Sequence, residues 1–584
     1  MSESAATVID EVVKKQPKKG CLSRLWSKHL LWFLVPLAWF YWDMVRVVPI
    51  RISPETTYIT SPLTADGKRV DYFAGLEELL YPAEMETDDN GARVIVLAFG
   101  AKSARLAALK TDPAEKEELE FRVKQVYQKL GLDPNLKPTQ SYQEPNPKMT
   151  DSEVGEWLEQ NTETLDLVSK TARKPAYFYP LTRTPDDEQI QFYTFLEDVM
   201  QSKAFVRGFS ARAKHRIAIG DIDGAIDDTI AIFRLGRFSG HQGFLVGALI
   251  GIAIESNAFN IEIMGNPEHP PTLEQIARFQ KELDNLPPQV TFNECMETER
   301  YQVLCSLQNQ FGGVVMSRAF DLGVMLLQTN RDFDIILGKT SGTATYELPD
   351  KPRLWRMVSR RTRSLEVYKT MSSLLVPAIQ AAREAFRRLE CIEHLHTLTL
   401  AMYRYQLDHG TLPPTFTVDA TGKPLQSWRV LLLPYLGEEE LYQKIRLDEP
   451  WDSEHNRQFH EQLLPVFQCP TNWKSIERPG RTAYSVILGD EMPFDASGQG
   501  KPLPIKRDTI LLVETFHERN WMDPTNELTL EDAGKKVKVH TDSVGMGSFH
   551  AGDMNVARAG GGVHSVKEIS DESTNHKQSE PRTE

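Results

Sequence analysis

Residues 377–409, PAIQAAREAFRRLECIEHLHTLTLAMYRYQLDH, decide how the C-terminal third of this chain is read. Within them Ile379, Ala382, Phe386, Leu389, Leu395, Leu398 and Met402 recur at an approximately helical interval, which predicts one long helix with an apolar stripe. Further on, the pattern changes to short β-favouring runs at 483–488 and 509–514. Segments 555–559 and 562–566 flank Gly560-Gly561, a pair that can take the positive φ values of a type I′ hairpin turn. A long helix followed by antiparallel strands predicts an α+β domain with the helix packed on the sheet.

The other end of the chain sets the compartment. Lys14, Lys15, Lys18, Lys19, Arg24 and Lys28 precede an uncharged run over 30–42, after which Asp43 intervenes before Met44, Val45 and Arg46. The run is shorter than the about 20 residues of a spanning helix, and a cleaved signal or a buried helix are the competing readings. Three features favour an uncleaved anchor over 30–48. Trp32, Trp39, Tyr41 and Trp42 suit the membrane interface. The flanking Lys and Arg can snorkel and extend the usable span. No small-x-small cleavage site follows, because 41–46 is bulky throughout. The basic excess then places 1–29 in the cytoplasm and the bulk outside, as in a single-pass inner-membrane protein with a periplasmic body.

With 584 residues the chain is too long for one core, and 41% hydrophobic with 25% charged residues marks it as globular. The net charge of −14 argues against nucleic acid as a partner. Residues 51–337 are expected to form a mainly helical domain, opening on an extended stretch with the β-favouring run Thr56-Thr57-Tyr58-Ile59-Thr60. Its clearest hairpin turns at 220–225, where Asp221 and Asp223 read as caps of the next helix because Gly224 falls too early for a calcium loop. Residues 245–258 read as a buried helix whose small residues allow close packing. A polar, basic linker over 338–370 separates this domain from the second, 371–566, and the charged tail 567–584 reads as disordered.

Several segments of the second domain carry a resemblance. They are 375–385, with Cys391 after it, 405–414 (YQLDHGTLPP), 427–436 (SWRVLLLPYL), 446–452 (RLDEPWD), Cys469-Pro470 and 549–561 (FHAGDMNVARAGG). In this order they resemble the pseudopilin-G-like family catalogued as domain of unknown function fifteen-fifty-nine, abundant in planctomycetes, over roughly 373–566. The resemblance implies a pilin-like fold and aligns His550, Asn555, Gly560 and Gly561 with the family's His-x9-Asp-Gly signature. Two departures stand out. The family's N-terminal leader and apolar run are replaced here by the polar, charged stretch 362–373, and the signature Asp is Gly560. Gly-Gly serves a turn as Asp-Gly would, but it removes any role of that carboxylate.

Familiar catalytic patterns fail on inspection. Gly338-Lys339-Thr340 lacks the first glycine of a phosphate loop, since position 333 is Phe333; His460-Glu461 lacks the second His of a zinc-protease motif, since position 464 is Leu464. His394 and His396, two apart on a helix, point to different faces. Asp448, Glu449, Asp452 and His455 form the best acidic-histidine constellation, with a Pro-Trp turn followed by a capped helix as the plainer reading. His550 is expected to hydrogen-bond backbone beside the terminal hairpin. None of the five cysteines forms a C-x-x-C pair. Cys391 and Cys469 are the expected disulfide, closing a loop worth roughly 4 kcal/mol in the chain-entropy model; Cys295 and Cys305 are expected as free, buried thiols. No catalytic residue, metal or cofactor is expected. The function expected is that of a non-enzymatic envelope protein supporting secretion, surface assembly or transport through other envelope proteins. A solute- or glycan-binding component, suggested by Trp428, Trp451, Trp473 and Trp521, and a hydrolase are the alternatives.

Overall fold

The computed structural model describes residues 49–81, 87–101, 112–135, 137–183, 193–241, 243–312, 320–340, 360–472, 479–502, 506–525, 527–533, 546–550 and 553–566, with Ala38, Tyr41 and Met316. The expected tail 1–29, nearly all of the anchor 30–48, most of the linker 338–370, the terminal 567–584, Cys21 and Trp473 lie outside the described residues. Among the described residues no helix is long and apolar enough to cross a membrane.

The helices are α1 (Pro54–Thr57), α2 (Tyr72–Leu80), α3 (Gly91–Phe99), α4 (Pro113–Lys129), α5 (Asp151–Ala172), α6 (Tyr193–Ile219), α7 (Ile222–His241), α8 (Leu245–Phe259), α9 (Leu273–Asp284), α10 (Phe292–Phe311), α11 (Leu322–Ile336), α12 (Arg360–His409), α13 (Trp428–Leu432), α14 (Glu439–Lys444) and α15 (Leu530–Ala533). The strands are β1 (Phe416–Val418), β2 (Pro424–Ser427), β3 (Arg481–Ser485), β4 (Ile487–Leu488), β5 (Ile510–Asn520), β6 (Leu528–Thr529), β7 (Met554–Arg558) and β8 (Val563–Val566). The fold is mixed α and β. Two compact units divide it, Met1–Gly75 with Arg300–Val376 and Leu76–Glu299 with Pro377–Glu584.

In the first unit the β-favouring run after Ser53 does not extend. Ser53 caps α1, its side chain accepting from Thr56 N at 3.3 Å, and Pro54 fills the first helical turn. Cap and proline together outweigh the β propensity of two threonines. Asn330 Nδ2 then donates to Thr56 O at 2.9 Å, and buried Arg300 pairs with Asp334 at 2.7 Å while stacking 4.2 Å over Tyr58.

In the second unit the hairpin α6–α7 forms as its turn residues require. Gly220 takes φ 84°, and Asp221 Oδ1 accepts from Gly224 N at 3.0 Å, capping α7. Helix α8 crosses α7 where both are glycine: a Cβ on Gly251 would stand 2.5 Å from Gly236 O. Buried Arg212 clamps Asp228 through Nε at 3.0 Å and Nη2 at 2.7 Å.

Helix α12 starts at Arg360, well before Pro377, and runs through that proline, so residues 360–370 of the expected linker are helical. Its C-terminal half is covered on more than one face, as Leu389, Cys391, Leu395, Leu398, Leu400, Ala401 and Met402 are all buried. Toward the helices, Arg237 Nη2 meets Glu393 at 2.8 Å, and the His396 ring packs edge-on to Phe259 and Phe279. Toward the strands, the His394 Nδ1 lies 3.0 Å from Gln468 O, and Tyr403 donates to Ala559 O. This double cover is why helical residues 76–299 fall in one compact unit with 377–584 and not in a domain of their own.

The sheet has the order β3-β5-β7-β8, every neighbour antiparallel. Small two-stranded pairs, β1-β2 and the parallel β4-β6, complete the strand structure. The β7–β8 turn is not type I′. Arg558 N bonds Gly562 O, Gly561 N bonds Arg558 O, and only Gly561, at φ 93°, takes a positive φ. This is the three-residue loop with a final left-handed glycine. Its tip is held from outside, since Met264 N donates to Gly560 O at 3.1 Å.

Candidate functional site

Helix α12 carries Glu384 and Cys391 seven residues apart, two turns along one face. Cys469 arrives on the irregular segment before β3, Glu514 on β5, and His550 on the segment before β7. These side chains meet in the core between helix and sheet. Cys391 Sγ donates to Cys469 Sγ at 3.4 Å, and Cys469 Sγ lies 3.6 Å from His550 Nε2. His550 Nδ1 is 2.6 Å from Glu384 Oε1 and 3.0 Å from Thr471 Oγ1, whose hydroxyl donates to the same carboxylate at 3.1 and 3.2 Å. Glu514 Oε1 stands 3.8 Å from His550 Nε2; Asn555 holds this carboxylate, its Nδ2 donating to Oε1 at 3.0 Å and its backbone N to Oε2 at 2.9 Å.

Relative exposure is 0% for Cys391, 2% for Cys469 and 4% for His550, so a substrate has no approach to either sulfur. The thiols differ electrostatically. Burial and donation to Cys469 push Cys391 well above the usual thiol range. The bond from Cys391, then His550, pulls Cys469 below it against the effect of burial. Burial alone would lower His550, but the Cys469 thiolate, Glu514 and Glu384 outweigh it and raise the imidazole above its ordinary value. A Glu–His–Cys order is that of an activated nucleophile, yet here it is sealed. Among the described residues, Cys391, Cys469 and His550 are the group whose donor atoms, all within 4.8 Å of one another, could hold a metal ion.

The expected pairing partners Cys391 and Cys469 are thus adjacent, as free thiols. Cys295 and Cys305 are buried on α10, where Asn309 Nδ2 donates to Cys305 Sγ at 3.5 Å. His550 departs from expectation, because its ring binds side chains and not backbone. Asn555 belongs to the cluster through Glu514, whereas Gly560 and Gly561 make the hairpin loop. Sequence reading misses Glu384, Glu514 and Thr471. A usable signal existed for Glu514, a carboxylate ending the apolar run Ile510-Leu511-Leu512-Val513.

The acidic-histidine constellation forms no comparable site. Glu449 accepts from Arg446 at 2.8 Å and from Ser453 at 2.8 Å, His455 Nε2 lies 3.0 Å from Lys444 O, and Asp448 and Asp452 are exposed. A 3-10 turn, Asn456–Phe459, follows in place of the expected capped helix, with Asn456 spanning the loop by bonds to Arg446 and Pro450. Trp428 and Trp521 are buried core and not ligand-facing rings. His394 and His396 diverge as expected, and burial pushes both down to about 4. A charged cleft of ≈ 380 Å³ among α5, α6, α7 and α9 is lined by Arg173, Arg212, Arg278, Asp227, Asp228 and Glu282, much of it already ion-paired.

No curated protein and no solved structure matches the chain. The matching family model is described as protein of unknown function (DUF1559), and it covers α12 from Gln380 through the loop after β4. The match spans residues 380–504 of the 584-residue chain.

Proposed function

We propose that this chain is a non-enzymatic envelope protein, anchored by residues 30–48 with its bulk outside the cytoplasm, whose C-terminal module is a pilin-like scaffold for other envelope or secretion proteins. The observation that carries this reading is the closure of the Cys391–Cys469–His550 cluster: the reactive groups that converge in the module lie in its core. A module whose chemistry points inward acts through its surface. The long helix on an antiparallel sheet supports the pilin-like comparison, and α12, covered on two sides, gives that surface a rigid base. The Asp448–His455 loop supports the same reading, since its groups hold a turn together.

The test is the composition of the complex recovered through a C-terminal tag from crosslinked native membranes. Co-purification of a defined set of envelope or secretion proteins is the expected result. A lone monomer or homodimer would overturn the scaffold reading, and a tag protected from protease in spheroplasts would overturn the topology.

A further inference from the structure

We propose that Cys391, Cys469 and His550 form a binding site for one thiophilic divalent cation of the zinc class, with the Glu514 carboxylate beside it, 3.8 Å from the His550 donor nitrogen. The inference stands on the core geometry alone and goes beyond the scaffold reading.

The donors come from three distant places in the chain, yet the structure assembles them. Sγ to Sγ is 3.4 Å, Sγ of Cys469 to Nε2 of His550 is 3.6 Å, and Nε2 to Glu514 Oε1 is 3.8 Å. A tetrahedral ion with metal–sulfur bonds of about 2.3 Å and metal–nitrogen bonds of about 2.0 Å separates its sulfurs by about 3.8 Å and sulfur from nitrogen by about 3.5 Å. The observed spacings approach that tetrahedron, whereas a disulfide needs its sulfurs at about 2.05 Å.

The surrounding shell is also that of a metal site. A ligating imidazole characteristically gives its other N–H to a carboxylate, which fixes the tautomer and aims the free lone pair. Glu384 does this at 2.6 Å from Nδ1, and Thr471 holds Glu384 in turn. Loss of the other ring proton on metal binding would leave the Nε2 lone pair facing the Cys469 sulfur. Asn555 holds Glu514 from both its backbone and its side chain. Two sulfurs and an imidazole select zinc, cobalt or copper over magnesium or calcium. Ligation would displace the proton that Cys391 otherwise holds toward Cys469, and an ion of charge two would offset the two thiolates so formed. It would clasp α12 to the segments before β3 and β7.

The experiment uses the full chain, purified from membranes under reducing conditions without chelator. Bound zinc is measured by elemental mass spectrometry, and cobalt(II) is titrated into protein stripped by chelation. The expected result is one metal per chain, with the visible absorption of tetrahedral cobalt and a thiolate charge-transfer band. Glu384→Gln, which keeps every donor, should weaken cobalt affinity by about 10–100-fold, and Cys469→Ser, which leaves the Cys391 thiolate alone, should cut the charge-transfer band to about half or less. If Cys469→Ser does not fold, the wild-type spectrum and Glu384→Gln still decide. Folded, reduced chain that holds no stoichiometric metal and gives no cobalt spectrum would overturn the proposal. So would an intact mass two hydrogens short, locating the pair in a disulfide that reduction does not convert to a metal-binding form.

Discussion

Glu527→Gln is the perturbation that most sharply tests how the sheet is held. Glu527 accepts from Arg429 Nη1 at 2.8 Å and Trp428 Nε1 at 3.2 Å, and from Ser485 Oγ at 2.6 Å and Val486 N at 3.2 Å. Arg519 Nη1 lies 3.3 Å away. Burial, the largest single influence, pushes this carboxyl up, but Arg429, Arg519 and the hydrogen bonds together hold it at about 2, against 4.5 in an open chain. Burial likewise lowers Arg429, but a guanidinium stays protonated, so the pair is ionised. Because the folded value lies below the unfolded one, the stabilisation is fully present above pH 4.5 and is lost as pH falls toward 2. The shift corresponds to about 3 kcal/mol.

The glutamine keeps the shape and leaves two buried guanidiniums without their shared carboxylate, a loss of roughly 3–5 kcal/mol. Amide exchange across β3 and β5, resolved by peptide mass, should show that loss near neutral pH. The gap should narrow by roughly 2 kcal/mol at about pH 3, where the wild type itself weakens. A loss under about 1 kcal/mol at neutral pH, or a gap that does not change on acidification, would refute the reasoning.

Other substitutions probe separate features. Gly561→Ala should cost roughly 1–3 kcal/mol, because φ is 93° and the new Cβ would stand 2.4 Å from Met264 Sδ; Gly422→Ala, at φ 85° in open space, should cost less in the same thermal melt. Gly251→Ala drives a methyl to 2.5 Å from Gly236 O, and thermal unfolding should show a loss of about 1–3 kcal/mol. Burial pushes Glu255 up to about 8 despite Arg237 at 3.0 Å, so its contribution is full below pH 4.5 and lost as pH rises toward 8. Glu255→Gln should flatten the decline in melting temperature across that window; an unchanged slope would locate the pH dependence elsewhere. Asp452→Asn, on an exposed turn, should change stability by no more than about 0.5 kcal/mol, and a larger loss would reopen the acidic-histidine constellation as a built site.

Local patterns were the legible part of this fold. The stripe from Leu389 to Met402, the runs at β3 and β5, the capped turn at Asp221 and the small-residue helix α8 all rest on periodicity or turn chemistry within a few residues. Two features were not local. Helix α12 is buried on a second face by His396 and its aromatic neighbours, and nothing within 377–409 says which distant helices supply that cover. The cluster is assembled from residues whose donors lie 78 and 81 positions apart, so no metal spacing or catalytic motif could register it. The bias toward a strand at Thr56–Thr60 failed for a different reason: one serine cap and one proline acted on the backbone more strongly than side-chain propensity.

The most direct test of the central claim, that the module's reactive groups are sealed, is the alkylation rate of Cys391 and Cys469 in folded, reduced, chelator-treated protein. Peptide mass should show both sulfurs unmodified while the fold persists and labelled once denaturant opens it. Rapid labelling of Cys469 in the folded chain would contradict the account and point to a reachable, histidine-paired nucleophile.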